Sequence, residues 1–305
     1  MRLSGLIRRT RRLGVFNVWS SIYSKLNTNH RRQHKHIKID DEESQFNKEP
    51  LNTFKAHGYR TMHLLILIPL LIILTLLILV YIIYRPPHLL IRYLQHHNPS
   101  VVFHVPLPAS QRIVALTLDD APSSETPHIL DLLKAHNATA TFFIIGSQAL
   151  QHPKIIQRIH AEGHELGNHA MTDSPSFRLP LSELSHQIAE VDALLPGNSN
   201  SMKYFRPGSG WFNAGMRERV ERAGYRLVLG GVYPHDPQIP RPRLNAWHVL
   251  SLVRPGSVVV MHDRRAYSVE QVRRVLEGLE RRGYRAVSVG GLLAVAEVEA
   301  RKKGG

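Results

Sequence analysis

Ile113-Val114-Ala115-Leu116-Thr117-Leu118-Asp119-Asp120-Ala121-Pro122-Ser123 decides how this chain is read. The apolar run from Ile113 to Leu118 has the length and β-branching of a strand covered on both faces. Two adjacent carboxylates follow, and then Pro122 and a pair of serines break the strand. Two charges side by side at a buried strand end need a cation, an arginine or a shared proton. Neighbours on a strand point to opposite faces, but a strand running into a turn can aim both into one pocket. The bland alternative is an Asp-Asp turn that caps the next helix.

C-terminal to this stretch, strand and helix signals alternate. Strands are predicted over 140–145, 164–168, 204–206, 226–229, 258–261 and 286–288. Helices are predicted over 127–136, 153–162, 181–195, 214–223 and 269–282. Repeated β-α units with apolar strands imply a parallel sheet under helices, an α/β fold. Seven strand candidates, with 114–118 as the first, point to a barrel rather than an open sheet. In such barrels the chemistry sits at the C-terminal strand ends.

On the N-terminal side, Leu64 to Tyr84 is almost unbroken Leu and Ile, without a charge. About 20 apolar residues span the hydrocarbon core of a membrane. The run ends in Tyr81, Tyr84 and Arg85, an interfacial belt and anchor, and is too long for a cleaved leader. Residues 62–85 therefore read as one transmembrane signal anchor. Residues 1–61 read as a basic, mostly disordered tail, and translation from Met62 would leave the same anchor. His30, His34 and His36 in that tail are a weak metal candidate. The basic tail places the N-terminus in the cytoplasm and the C-terminal domain in the lumen or outside the cell. Residues 86–110 read as a proline-punctuated linker with a short helix at 89–95, and 111–305 as the folded domain.

The chain has 305 residues, no cysteine and a formal net charge of +15. Without Cys there is no disulfide framework and no thiolate chemistry. The charge could suggest nucleic acid, but no helix-turn-helix, zinc-finger or RNA-binding signature is present, so none is expected as a partner. A second basic group, which includes Arg264, Arg265, Arg273 and Arg274, reads as a solvated face.

Ionisable residues gather after five of the strands. They are Asp119 and Asp120, Gly163-His164-Glu165-Leu166-Gly167-Asn168-His169 with Asp173, Phe205-Arg206-Pro207-Gly208-Ser209-Gly210, Tyr233-Pro234-His235-Asp236, and Val260-Met261-His262-Asp263. His169 and Asp173 are four residues apart and can face one ion. With Asp120 they offer one imidazole and two carboxylates, a donor set suited to zinc, with cobalt or manganese as alternatives.

Here the sequence resembles a known family. Thr-Leu-Asp-Asp-Ala-Pro-Ser (117–123) is similar to the first motif of the polysaccharide deacetylase (NodB-homology) family. Gly-His-Glu-Leu-Gly-Asn-His resembles the approach to its second motif, Phe-Arg-Pro-Gly-Ser-Gly its third, and Val-Met-His its last. The resemblance, over 111–289, implies a deformed (β/α)7 barrel and a metal-dependent hydrolase. It implies removal of acetyl groups from a polymer of N-acetylglucosamine, chitin or a related cell-wall polysaccharide. It also implies roles. Asp119 would be the general base, and Asp120, His169 and Asp173 the metal ligands. Arg206 would orient Asp119, and His262 would be the general acid. Asp236 would bond to an imidazole or to Arg206. Backbone near Ser209, with Gly210 and Trp211, would meet substrate and oxyanion.

Five positions depart from the family's pattern. Asp173 stands where the second motif commonly ends in His, and Ala121 stands for Gly after the Asp pair. Gly208-Ser209 replaces the common Pro-Tyr, and Pro237 follows Asp236 where a Trp is usual. Trp211, Phe212, Tyr233 and Trp247 are possible replacements for the lost aromatic wall, though core positions suit such residues at least as well. Two alternatives keep different parts of this reading. One has the same site act on an ester or a small non-sugar amide. The other is a catalytically silent carbohydrate-binding protein.

Overall fold

Strand β1, Ile113–Ala121, is nine residues long and buried at every one. It carries its pairing through Asp119 and past Asp120, further than the apolar run alone suggests. In the computed structural model, which describes residues 52–197 and 202–304, β1 is the centre of a parallel sheet. The other strands among the described residues are β2 Thr141–Ile144, β3 Glu165–Asn168, β4 Lys203–Phe205, β5 Tyr225–Leu227, β6 Val258–His262 and β7 Arg285–Val287. Their order is β5-β4-β3-β2-β1-β6, and β7 pairs with the start of β1. All these pairings are parallel, so each crossover returns through a helix or loop over the sheet. Val232, after β5, bridges to Val259 of β6, and the Val260 N–H donates to the Val232 carbonyl at 2.9 Å.

The chain divides into two units, 1–66 and 67–305. The first lies mainly in residues 1–51, which are outside the described residues, as is the expected histidine-bearing tail. Helix α1, Asn52–Tyr84, contains the apolar run and is longer than the sequence suggests. Its stretch His63–Tyr84 is 22 residues long and apolar enough to cross a membrane. The Thr75 hydroxyl donates to the Leu71 carbonyl one turn back, at 2.8 Å.

The stretch read as a linker folds with the second unit instead. Helix α2, His88–His97, buries Ile91, and Val101, Val102, Phe103 and Val105 are buried after it. Val102 bridges to Val228, and His104 to Ser257. Gln95 Oε1 accepts from the N–H groups of Phe103 and His104 at 2.9 and 3.1 Å, which folds this segment back on itself. Prolines 86, 87, 99, 106 and 108 bound these pieces without unfolding them.

The remaining helices are α3 Thr126–Ala135, α4 Gly146–Gln151, α5 Pro153–Ala161, α6 Leu181–Leu194, α7 Ala214–Arg222, α8 Pro242–Leu252, α9 Ser268–Arg281 and α10 Val289–Gly304. The largest apolar cluster joins β1, β2 and β6 to α3, α5, α8 and α9 through Leu116, Leu118, Phe142, Ile129, Ile159, Val249 and Val275. A second lies under α2, α6 and α7, and a third under α10. These clusters hold the strands rigidly, so the loops at their C-terminal ends start from fixed positions.

Candidate active site

β1 meets the problem of its two adjacent carboxylates by a backbone twist. Asp119 lies in register with His262 of β6. Asp120 then takes φ +63°, and the pairing with β2 shifts register between Leu118 and Ala121. Asp is among the few residues that tolerate the left-handed region. The left-handed residue is thus Asp120 and not Ala121, so alanine costs nothing there. Six non-glycine residues among those described have positive φ, and five stand at the rim: Asp120, Ala170, Ser209, His235 and Arg264. Each rim loop is bent by such a residue, an expense that clusters at functional sites.

Asp119 is buried and its carboxylate receives Arg206 Nη1. The guanidinium is itself held on three sides. Nη1 also donates to Thr117 Oγ1 at 2.7 Å, Nε donates to the Val228 carbonyl at 3.0 Å, and Cζ lies 4.0 Å from the centre of the Phe143 ring. Thr117 in turn donates to the Val259 carbonyl at 2.7 Å. Burial pulls the Arg206 pKa down, while Asp119 opposes it.

Asp120, His169 and Asp173 each offer a ligand atom, all within 4.8 Å of one another. His169 Nδ1 donates to the Arg206 carbonyl at 2.6 Å, so Nε2 carries the lone pair that faces Asp120 Oδ1, 3.9 Å away. This donor set fits a divalent metal: the tautomer is fixed and two carboxylates converge on the free nitrogen. Burial pushes the Asp120 carboxyl up, against the opposing influence of His262 and His169. A divalent cation reverses that logic. Asp173 is more exposed than the other two.

His262 and Asp236 form the second pair. Asp236 is fully buried, and its carboxylate accepts from His262 Nδ1, from the His262 backbone N–H and from Gln271 Nε2, each at 2.9 Å. Tyr267 donates its hydroxyl to the Asp236 carbonyl at 2.5 Å. Of the two partners open for Asp236, the structure gives it the imidazole. Burial alone would lower the His262 pKa, but the hydrogen bond and charge of Asp236, with Asp119 and Asp120, outweigh it and raise the pKa above the ordinary value.

Gly208 brings the third rim loop against the second. A Cβ there would lie 2.2 Å from the Ser174 carbonyl oxygen, and the Gly208 N–H donates to Ser176 Oγ at 2.8 Å. This close approach is why glycine stands where the family commonly has proline. Ser209 and Gly210 line the cleft with Asp119, His169, Asp173, Arg206, Tyr233 and His262, in a volume of about 570 Å³. Trp211 is 70% exposed, Phe212 packs into the second apolar cluster, and Trp247 lies under Arg85. Of the four aromatics, Tyr233 faces the site, its ring 5.8 Å from that of His262.

The sequence reading missed several residues here. Thr117 and Phe143 looked like core, and Gln271 and Tyr267 carried no motif. Arg264 and Arg265, read as part of a solvated face, instead turn back on Asp120 and Asp173. Asp263 is a structural residue. It accepts from Ser123, from Thr126 and from the Arg264 N–H, and so ties the β1 loop to the β6 loop.

The fold and these paired carboxylates, imidazoles and arginine define a hydrolase of the α/β deacetylase type. The chain belongs to the polysaccharide deacetylase family, whose pattern matches residues 107–228. It is 32% identical over 193 residues to a peptidoglycan-N-acetylglucosamine deacetylase of Bacillus cereus, covering 61% of this chain and 91% of that protein. It is 33% identical over 153 residues to a chitooligosaccharide deacetylase of Sinorhizobium fredii, covering 49% of this chain and 71% of that one. Among solved structures, the peptidoglycan deacetylase PdaC of Bacillus subtilis superposes with a TM-score of 0.59 at 28% identity, over 65% of this chain and 97% of that one.

Proposed function

We propose that this chain is a membrane-tethered, metal-dependent amide hydrolase that removes N-acetyl groups from a polymer of N-acetylglucosamine, with chitin the first candidate. The observation that carries the reading is three convergent donor atoms beside an Asp119–Arg206 pair and an Asp236–His262 pair, with Asp119, His169, Asp173, Arg206 and His262 lining one cleft. The two relatives are named for peptidoglycan N-acetylglucosamine and for chitooligosaccharide. We assign a deformed (β/α)7 barrel because the Val232–Val259 bridge links the chain beyond β5 to β6, the two edges of the sheet order. We assign one transmembrane helix, 63–84, with the basic tail cytoplasmic and the catalytic domain lumenal or extracellular.

Asp120, His169 and Asp173 would hold the ion. When bound, a divalent metal lowers the pKa of a water and polarises the acetyl carbonyl, and zinc fits these donors first. Asp119 takes the proton of the attacking water, and the Arg206 guanidinium bonded to that carboxylate holds it in place. Water oxygen bonds to the acetyl carbon, and the carbon–nitrogen bond breaks. His262 gives its Nε2 proton to the departing amine, with Nδ1–H held by Asp236. The Gly210 N–H is already used on the Pro207 carbonyl, at 3.1 Å. Ser209 is therefore the backbone donor we assign to the oxyanion.

The test is acetate release from N-acetylglucosamine oligomers by the full chain in detergent, before and after chelation and with zinc restored. Chelator-sensitive release supports the reading. No release with zinc present overturns it, and release from acetate esters alone moves the site to another substrate class.

Asp236→Asn gives a pH-resolved check. A general acid works below its pKa, and Asp236 raises that of His262. Removing the negative charge is expected to move the alkaline limb of the kcat profile down by about one pH unit or more. An unmoved limb would show that His262 is not the proton donor.

A further inference from the structure

Two arginines stand beside the candidate ligands. They come from the loop after β6, where Arg264 takes φ +61° and its N–H is held by Asp263 Oδ1 at 2.7 Å. This bend returns both side chains to the rim. Arg265 Nη2 donates to Asp120 Oδ2 at 3.2 Å. Arg264 Nη2 lies 3.8 Å from the same oxygen and 3.4 Å from Asp173 Oδ2. Their side chains are 33% and 27% exposed, so each has solvent on one side.

Formal charge makes the consequence definite. Asp119, Asp120 and Asp173 supply three negative charges at this rim, and Arg206, Arg264 and Arg265 supply three positive ones. The carboxylates are thus already neutralised by the chain. A divalent ion seated on Asp120 and Asp173 would face two guanidiniums bonded to the same two carboxylates. Both like-charge repulsion and shared acceptors oppose that.

The geometry points to Arg264 and Arg265 as built-in counter-cations that compete with the metal for Asp120 and Asp173 and must swing away when it binds. This rests on the metal reading above. It also gives the Asp at position 173 a reason in charge: a second carboxylate in the donor set is matched by the arginine pair. The two arginines therefore set the affinity of the site for its ion and act as positioning residues, with no contact to substrate claimed for them.

The test measures zinc affinity of the full chain in detergent, by competition with a chromophoric chelator, independently of turnover. Arg264→Gln and Arg265→Gln are each expected to tighten zinc binding roughly threefold to tenfold, the scale of a partly exposed ion pair. The double variant should tighten it further, and Arg265→Lys, which keeps the charge, should stay near the parent. Circular dichroism on each variant separates a misfolded protein from a tighter one. Equal or weaker affinity in the folded double variant overturns the inference and leaves the metal reading standing. Absence of zinc binding in parent and variants alike overturns both.

Discussion

Asp119→Asn is expected to slow acetate release by roughly 10²–10⁴-fold, the usual contribution of a positioned general base. The amide keeps the size of the carboxyl and can still accept from Arg206 Nη1, so the guanidinium does not lose its hydrogen-bond partner. It cannot take a proton from water. Zinc affinity should change little, because Asp119 is not one of the three convergent donors. Turnover and metal titration on the same preparation check both halves. Turnover within threefold or so of the parent would remove Asp119 from the base role.

Arg206→Met carries the other large effect, and it is felt in stability as well as rate. Arg206 is buried, and its removal leaves Asp119 buried without a cation. Breaking one side of a buried ion pair costs roughly 3–5 kcal/mol. For a domain of this size that lowers Tm by roughly 10 °C. The double variant Asp119→Asn/Arg206→Met should recover part of the loss, since no charge is then left unpaired, yet recover no activity. Thermal unfolding and acetate release on the four proteins of the cycle test this. A double variant no more stable than Arg206→Met would assign the cost to lost packing on Phe143 instead of to the stranded carboxylate.

What could be read from residues and what could not divides by physics. β1, β2 and β6 were legible because strands buried on both faces are written as unbroken apolar runs. Their ends carried the ionisable residues, so the members of the site were legible too. Helix α10 was not, because it opens with Gly290 and Gly291, which look like a break. The structure shows what sits there: a Cβ on Gly290 would lie 2.3 Å from Glu165 Oε1 and push that carboxylate aside, and the Gly290 N–H donates to it at 3.2 Å. Burial also raises the Glu165 pKa, so this contact is one the fold has to satisfy. Helix α8 was missed because Pro242 and a mixed, weakly periodic sequence hide it. Arg264 and Arg265 were misread for a different reason. Their direction is set by one left-handed residue, and a backbone angle leaves no trace in composition.

Helix α2 changes how the protein has to be handled at the bench. Pro86, Leu90, Ile91, Leu94 and Phe103 line the same cleft as Asp119 and His262, yet all five precede the region matched to the family. A recombinant fragment trimmed to that familiar boundary would be purified with one bank of its own trough missing and the greasy underside of its neighbours laid bare. Inactivity of so short a piece would then report on the scissors and not on the enzyme.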